Sequence, residues 1–276
     1  MPATDRRTHN AHRITIQDLR ALRSREGRAR LRRFYAEGVR FVIKALQHRA
    51  SIDALVIAPA LLTHPLGGRL VRYARRLGIP ILDVPARTFL DLSTAAEPQG
   101  IGVVARQRWE RLARVRPGDE LCWVALESVR SAGNLGSVIR TCEATGAAGL
   151  ILVGETVDPF DPATVRATMG AIFSRRLVRA TPGQLAAWVA RLGAMLAGTS
   201  PSAALDYRTV RYRRPLVLLM GGERKGLPPS LQAACETMVR IPMSGPTDSL
   251  NLAVATGVLL YEVFDQRRRA DGWRAR

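Results

Sequence analysis

Short, almost wholly apolar runs recur along this chain, five or six residues at a time, with helix-like spacing between them. The clearest are Ile52–Ile57 (IDALVI), 79–84 (IPILDV), 101–105 (IGVVA), 121–126 (LCWVAL), Gly149–Val153 (GLILV) and Leu216–Met220 (LVLLM). A run such as LVLLM, apolar at every position, reads as a strand buried on both faces. Strands of that kind alternating with helices give a mostly parallel sheet covered on both sides, an α/β fold.

A polar stretch at 106–119, containing Pro117-Gly118, reads as a linker. It sets apart a basic tail (1–14), an α/β unit of about 90 residues (15–106) and a second, larger α/β domain (117–276). In the first unit helices are expected over 16–34, 40–47 and 67–77, with a short strand at 34–37. In the second, helices are expected over 134–145, 162–173, 183–192, 228–234 and 249–266, with further strands at 194–197 and 238–241.

Charge narrows the function. Lys+Arg total 42 against 23 acidic residues, a net charge of +19. Only Lys44 and Lys225 are lysines, and a codon bias toward Arg explains that ratio but not the excess of cations. Such a field favours a polyanionic partner. A membrane surface would call for a basic amphipathic helix with aromatic anchors, which the sequence lacks; no apolar run is long enough to span a bilayer. Residues 1–116 hold 23 basic and 9 acidic side chains, so the first part is the expected reader of the polyanion. Seven Arg lie between Arg20 and Arg33, and phosphate contact is expected there, with Arg23, Arg30 and Arg33 as candidates and Arg40 beyond them. A solvated charged face is the competing reading.

Other chemistries are disfavoured. Cys122, Cys142 and Cys235 are far apart, with no ligand cluster for a metal. The start of the chain lacks the apolar core of a secretory signal, so a cytoplasmic location is expected. All four His fall within the first 64 residues, so a site in the second half must work without a histidine base.

Three loops following expected strands carry unusual polar residues. The first, ESVRSAGNLG at 127–136, leads into a helix bearing Arg140; Asn134 also suits a helix N-cap. The second, MGGERKGL at 220–227, has a Gly pair that lets backbone approach a ligand closely. It contains neither a P-loop nor a dinucleotide fingerprint. The third, IPMSGPTDSLNL at 241–252, places Ser249 and Asn251 at the start of the last helix, where Ser is again a plausible N-cap. Ligands in open α/β sheets bind outside the carboxyl ends of strands, where these loops lie.

In order and spacing, NLGSVIR, LLMGGERKGL and IPMSGPTDSLNLAVATG resemble the three motifs of the SpoU/TrmH family of RNA ribose 2'-O-methyltransferases, of the SPOUT superfamily, over about residues 119–268. FYAEGVRFVIKAL and the unit after it resemble the ribosomal-protein-like RNA-binding domain that many members carry. The resemblance implies a C-terminal domain with a trefoil knot, S-adenosylmethionine as cofactor, no metal, and a homodimer formed through that domain. It implies Asn134, Arg140 and Glu223 as catalytic residues. It implies Thr199, Gly221, Gly222, Ile241, Ser249, Leu250 and Asn251 at the cofactor, with Arg166 near the RNA. Ribosomal RNA is the expected substrate, with tRNA, methylation of a base, or RNA binding without catalysis as alternatives. For Arg140 two accounts stand: transient acceptance of the hydroxyl proton, or stabilisation of the developing alkoxide while the proton leaves through water.

Overall fold

The computed structural model of the protein describes residues 13–118 and 120–270, so nearly all of the expected basic tail lies outside the described residues. The chain divides into two compact units, Met1–Arg106 and Gln107–Arg276.

The first unit runs α1 (Ile16–Ala21), α2 (Arg25–Leu31), β1 (Arg33–Glu37), α3 (Val39–Gln47), β2 (Ile52–Ile57), α4 (Gly67–Arg76), β3 (Ile81–Asp83), α5 (Ala86–Leu92) and β4 (Ile101–Arg106). Its sheet has the order β1-β4-β2-β3. β4 is antiparallel to both neighbours, and β2 and β3 are parallel. The single helix expected over 16–34 is two helices and the start of a strand. Thr15 and Asp18 form a capping box on α1, and Ser24 caps α2 by accepting from the Gly27 amide. Arg32, at φ 53°, ends α2 in the left-handed region. A Ser that can satisfy orphan amides starts a new helix more favourably than it continues the old one.

The second unit runs β5 (Glu110–Arg111), β6 (Trp123–Glu127), α6 (Ala132–Thr145), β7 (Gly149–Val153), α7 (Pro162–Ala167), β8 (Arg176–Ala180) and α8 (Pro182–Leu192). It continues through β9 (Met195–Thr199), β10 (Leu205–Asp206), β11 (Leu216–Met220), α9 (Pro229–Ala233), β12 (Thr237–Arg240) and α10 (Leu252–Ala270). The strand order is β10-β12-β9-β11-β6-β7-β8-β5, parallel throughout. β7 and β11 are buried at every position, as their unbroken apolar runs require. The core joins Trp123, Ile151, Val178, Trp188, Leu196, Val217 and Leu219. From Gln107 on, the stretch expected as a linker belongs to this unit: β5 pairs with β8, and Leu112 and Val115 are buried. The helix expected over 162–173 stops at Ala167, and Gly170, at φ 97°, turns the chain into a separate 3-10 turn.

Because the strands are parallel, the carboxyl ends of β12, β9, β11 and β6 lie side by side at one edge of the sheet. The three unusual loops leave from three of these four neighbours.

Candidate active site

The three loops meet over these strand ends and enclose a cavity of about 480 Å³. Of the ten residues expected in catalysis or cofactor binding, nine line it: Asn134, Thr199, Gly221, Gly222, Glu223, Ile241, Ser249, Leu250 and Asn251. Val239, Leu252, Ala255 and Leu259 give it an apolar wall.

The polar side is tied across all three loops. Asn134 Nδ2 donates to Glu223 Oε1 at 2.6 Å, and Asn251 Nδ2 donates to Asn134 Oδ1 at 3.0 Å. Asn251 Oδ1 in turn accepts from the Ala253 and Val254 amides at 2.9 and 3.3 Å. Asn251, not Ser249, therefore caps α10. Nor is Asn134 the cap of α6: Ser131 takes that place, its Oγ accepting from the Asn134 amide at 3.2 Å. With the cap supplied by Ser131, the Asn134 carboxamide is left for the site. Thr199 Oγ1 donates to the Leu219 carbonyl at 3.3 Å, fastening β9 to β11 beneath the cavity.

Arg140 stands apart. It is exposed on α6, about 9 Å along the helix axis from Asn134 at 1.5 Å per residue, and does not line the cavity. Among the described residues its side chain makes no hydrogen bond or ion pair.

Sequence reasoning missed Glu127. It ends β6 directly under the second loop, where a Cβ on Gly222 would come within 2.7 Å of Glu127 Oε2. Ser128 donates to the same carboxylate through Oγ and holds φ 47°. Glu127 is thus a second carboxylate at these loops, in addition to Glu223. Arg224 also lines the cavity, and the run of charge in ERK was its only signal.

The expected RNA contacts of the first unit divide. Arg30 and Arg40 are exposed. Arg23 donates to the Asp91 carbonyl at 3.0 Å. Arg33 is turned inward, with Nε 2.6 Å from Asp53 Oδ2 and Nη1 3.0 Å from the Leu31 carbonyl. Arg28, one of the seven clustered Arg, is only 2% exposed and donates to the Leu22 and Arg23 carbonyls. In the second unit, Arg166 is exposed in the last turn of α7.

The profile of the SpoU rRNA Methylase family matches residues 122–261, which contain the whole cavity. The chain belongs to the SpoU rRNA methylase family. The MRM3-like substrate binding domain matches residues 14–102, the first unit. This SpoU methylase is 32% identical to a 23S rRNA (uridine(2479)-2'-O)-methyltransferase of Streptomyces viridochromogenes, over 95% of this chain and 94% of the relative. An AdoMet-bound rRNA methyltransferase from Sinorhizobium meliloti superposes with a TM-score of 0.83 at 38% identity, covering 92% of this chain and 94% of the other. The SpoU methyltransferase AviRb of Streptomyces viridochromogenes, in complex with AdoMet, gives 0.81 at 30% identity, over 91% and 97%. The fold is that of these solved SpoU methyltransferases, an N-terminal substrate-binding domain followed by a SpoU domain.

Proposed function

We propose that this SpoU methylase transfers a methyl group from S-adenosylmethionine to a ribose 2'-hydroxyl of 23S rRNA. The observation that carries this reading is the Asn251–Asn134–Glu223 chain of hydrogen bonds, which joins all three motif loops at the mouth of one cavity. Relatives named as 23S rRNA 2'-O-methyltransferases, and solved neighbours with AdoMet bound, support the substrate and the cofactor.

The cavity fits such a cofactor. Its apolar wall of Val239, Leu252, Ala255 and Leu259 suits a purine ring, and Thr199, Ser249 and Asn251 add polar side chains. At Gly221 a Cβ would fall 2.7 Å from the Gly226 carbonyl carbon, so only glycine lets the second loop fold back closely on the strand end that lines the cavity. Gly221, Ile241 and Leu250 hold the cofactor through backbone groups, with Thr199, Gly222, Ser249 and Asn251 around them. Bound S-adenosylmethionine supplies a methyl group on a positively charged sulfur, already activated for displacement.

What remains for the protein is alignment and charge. Glu223 and Asn251 fix Asn134 at the edge of the cavity. Arg140, which has no side-chain partner among the described residues, holds the RNA phosphate beside the target and stabilises the alkoxide as the hydroxyl proton leaves to water. A guanidinium keeps its proton in proteins, which favours this role over that of a base. Arg40 and Arg166 meet the RNA farther out.

We also infer a homodimer. Val254 and Tyr261 lie seven residues apart on α10, each 54% exposed, and Leu250 is exposed just before them. A second copy would cover this apolar stripe. From ribosomal RNA as substrate we infer a cytoplasmic location.

The test is a map of ribose methylation in total RNA with and without the gene. One 23S rRNA position should lose its methyl group in the deletion. Loss only from tRNA, or only from a base, would refute the reading.

A further inference from the structure

The sheet of the first unit is covered on both sides, and the two covers differ in charge. On one side Leu19 and Leu22 of the α1 region and Phe89 and Leu92 of α5 pack with Ala54, Val56 and Val104. Strand side chains alternate, so Leu55, Ile57 and Val103 face the other side. There α3 packs on β1 and β4, and α4 packs on α3. The first cover carries acids: Asp18 on α1, Glu26 on α2 and Asp91 on α5. The helices α3 (VRFVIKALQ) and α4 (GGRLVRYARR) contain none. They carry Arg40, Lys44, Arg69, Arg72, Arg75 and Arg76, with Arg49 just beyond α3.

The arginines of this layer are also uncommitted. Among the described residues, no side-chain hydrogen bond or ion pair is made by Arg40, Arg49, Arg69, Arg72, Arg75 or Arg76. Arg23 and Arg28 of the other cover and Arg33 at the start of β1, by contrast, bond to carbonyls or to Asp53. At 100° per residue, Arg69, Arg72, Tyr73 and Arg76 share one arc of α4. It lies opposite Gly67, Val71 and Ala74, which are buried. Tyr73 is 48% exposed at one edge of that arc, next to Arg69, and Leu77 is 54% exposed beside it. So many like charges on one layer repel one another unless an anion lies against them.

We propose that the outer face of α3 and α4 is the surface on which the RNA substrate lies, with Arg69, Arg72 and Arg76 on the phosphates of a single-stranded segment and Tyr73 stacked on an unpaired base. This moves the main RNA contact away from the Arg20–Arg33 cluster and onto a helix whose four arginines are all free to reach phosphate. An exposed aromatic between arginines is what single-stranded RNA uses and duplex RNA does not. The proposal rests on the reading of the chain as an RNA methylase.

Two triple variants of the full-length protein, matched in charge, test it. One is Arg69→Gln/Arg72→Gln/Arg76→Gln, and the other is Arg20→Gln/Arg25→Gln/Arg87→Gln on the opposite cover. Binding to deproteinised 23S rRNA is measured from 50 to 200 mM salt, and circular dichroism with a denaturant melt of each variant shows that the first unit is folded. The α4 triple should lose about tenfold or more in affinity, and its log–log salt slope should fall by about 2, at about 0.7 per single-strand phosphate. The opposite triple should lose less than about threefold. Tyr73→Ala should lose about tenfold and Tyr73→Phe little, as stacking requires. Equal losses in the two triples would reduce the effect to net charge and overturn the proposal, as would an unchanged slope in the α4 triple. Wild-type protein that binds S-adenosylmethionine but not 23S rRNA would overturn the functional reading itself.

Discussion

The Asn134 carboxamide and the Glu223 carboxylate are 89 positions apart in sequence and 2.6 Å apart in space. An ionised carboxylate only accepts, so Asn134 must turn its Nδ2 toward Glu223 and its Oδ1 toward Asn251. Asn251 then turns its own Oδ1 to the first amides of α10. Donor and acceptor order is thereby fixed from a helix N-terminus to a carboxylate, through three loops.

Reversing one polarity should break the chain, and reversing its partner should restore it. Asn134→Asp places a carboxylate against Glu223 and should cut methyl transfer on the order of a hundredfold. Adding Glu223→Gln returns a donor to the pair and should recover at least tenfold of that loss. Single-turnover methylation at saturating RNA reads both values. Equal activity in the single and double variants would mean that the contact is incidental.

Arg140→Ala should lose methyl transfer while keeping cofactor affinity, because Arg140 lies outside the cavity lined by Gly221, Ile241 and Leu250. The loss of a charged donor at the transition state is worth about 3 kcal/mol or more, on the order of a hundredfold in rate. Arg140→Lys should not rescue it, since a point charge cannot hold a phosphate and the reacting oxygen in one planar fork. Rates come from single-turnover transfer and affinities from calorimetry. Collapse of cofactor affinity in the Ala variant would move the activating role to Glu223.

Arg28 should matter for stability and not for RNA. Its Nη1 satisfies the Leu22 and Arg23 carbonyls at 3.0 and 2.9 Å from a position that is 2% exposed. Arg28→Leu should lower unfolding free energy by about 2 kcal/mol, the scale of buried polar groups left without a charged partner. Denaturant melts measure it, and a wild-type midpoint with weakened RNA binding would contradict it.

That residue marks what a sequence hides. The buried strands β6, β7 and β11 were legible because they are apolar at nearly every position, and a two-sided core leaves few other ways to place such runs. Arg28 reads as one more surface cation, because its burial depends on carbonyls freed at the end of α1. The split of α1 from α2 turns on one Ser, and α5 on two buried side chains, Phe89 and Leu92, too few for a clear period. β5 and β10 are two residues each and exist through their neighbours. At the site, the motifs named eight of the cavity-lining residues, and Thr199, at the end of β9, was a ninth expected from outside them. They offered Asn134 as the cap of α6, where Ser131 caps instead, since Ser and Asn both cap well. They also left Glu127 unseen as the last residue of a strand. Knot threading is a property of the whole chain path and leaves no mark on local periodicity.

The thiols should be inert at ordinary pH. Burial holds Cys122 well above the usual thiol range, and pushes Cys142 up to about 12 and Cys235 up to about 11. The folded chain therefore keeps protons that the unfolded chain begins to release near 9.0. The stability these neutral thiols contribute is fully present below that pH and is lost as pH rises toward about 11. Iodoacetamide at pH 8 should label the native protein slowly at all three cysteines and rapidly once it is denatured. Fast native labelling of Cys235 at pH 8 would contradict this.

The central claim is chemical, that the methyl group goes to a ribose oxygen of 23S rRNA, and alkaline hydrolysis tests it most directly. The protein is incubated with deproteinised 23S rRNA and S-adenosylmethionine carrying a labelled methyl group, and the product is digested with alkali. Alkali cleaves RNA through attack by the free 2'-hydroxyl, so a 2'-O-methyl group protects its own linkage. The account predicts label in an alkali-stable dinucleotide. Label released in mononucleotides would place the methyl group on a base and contradict it.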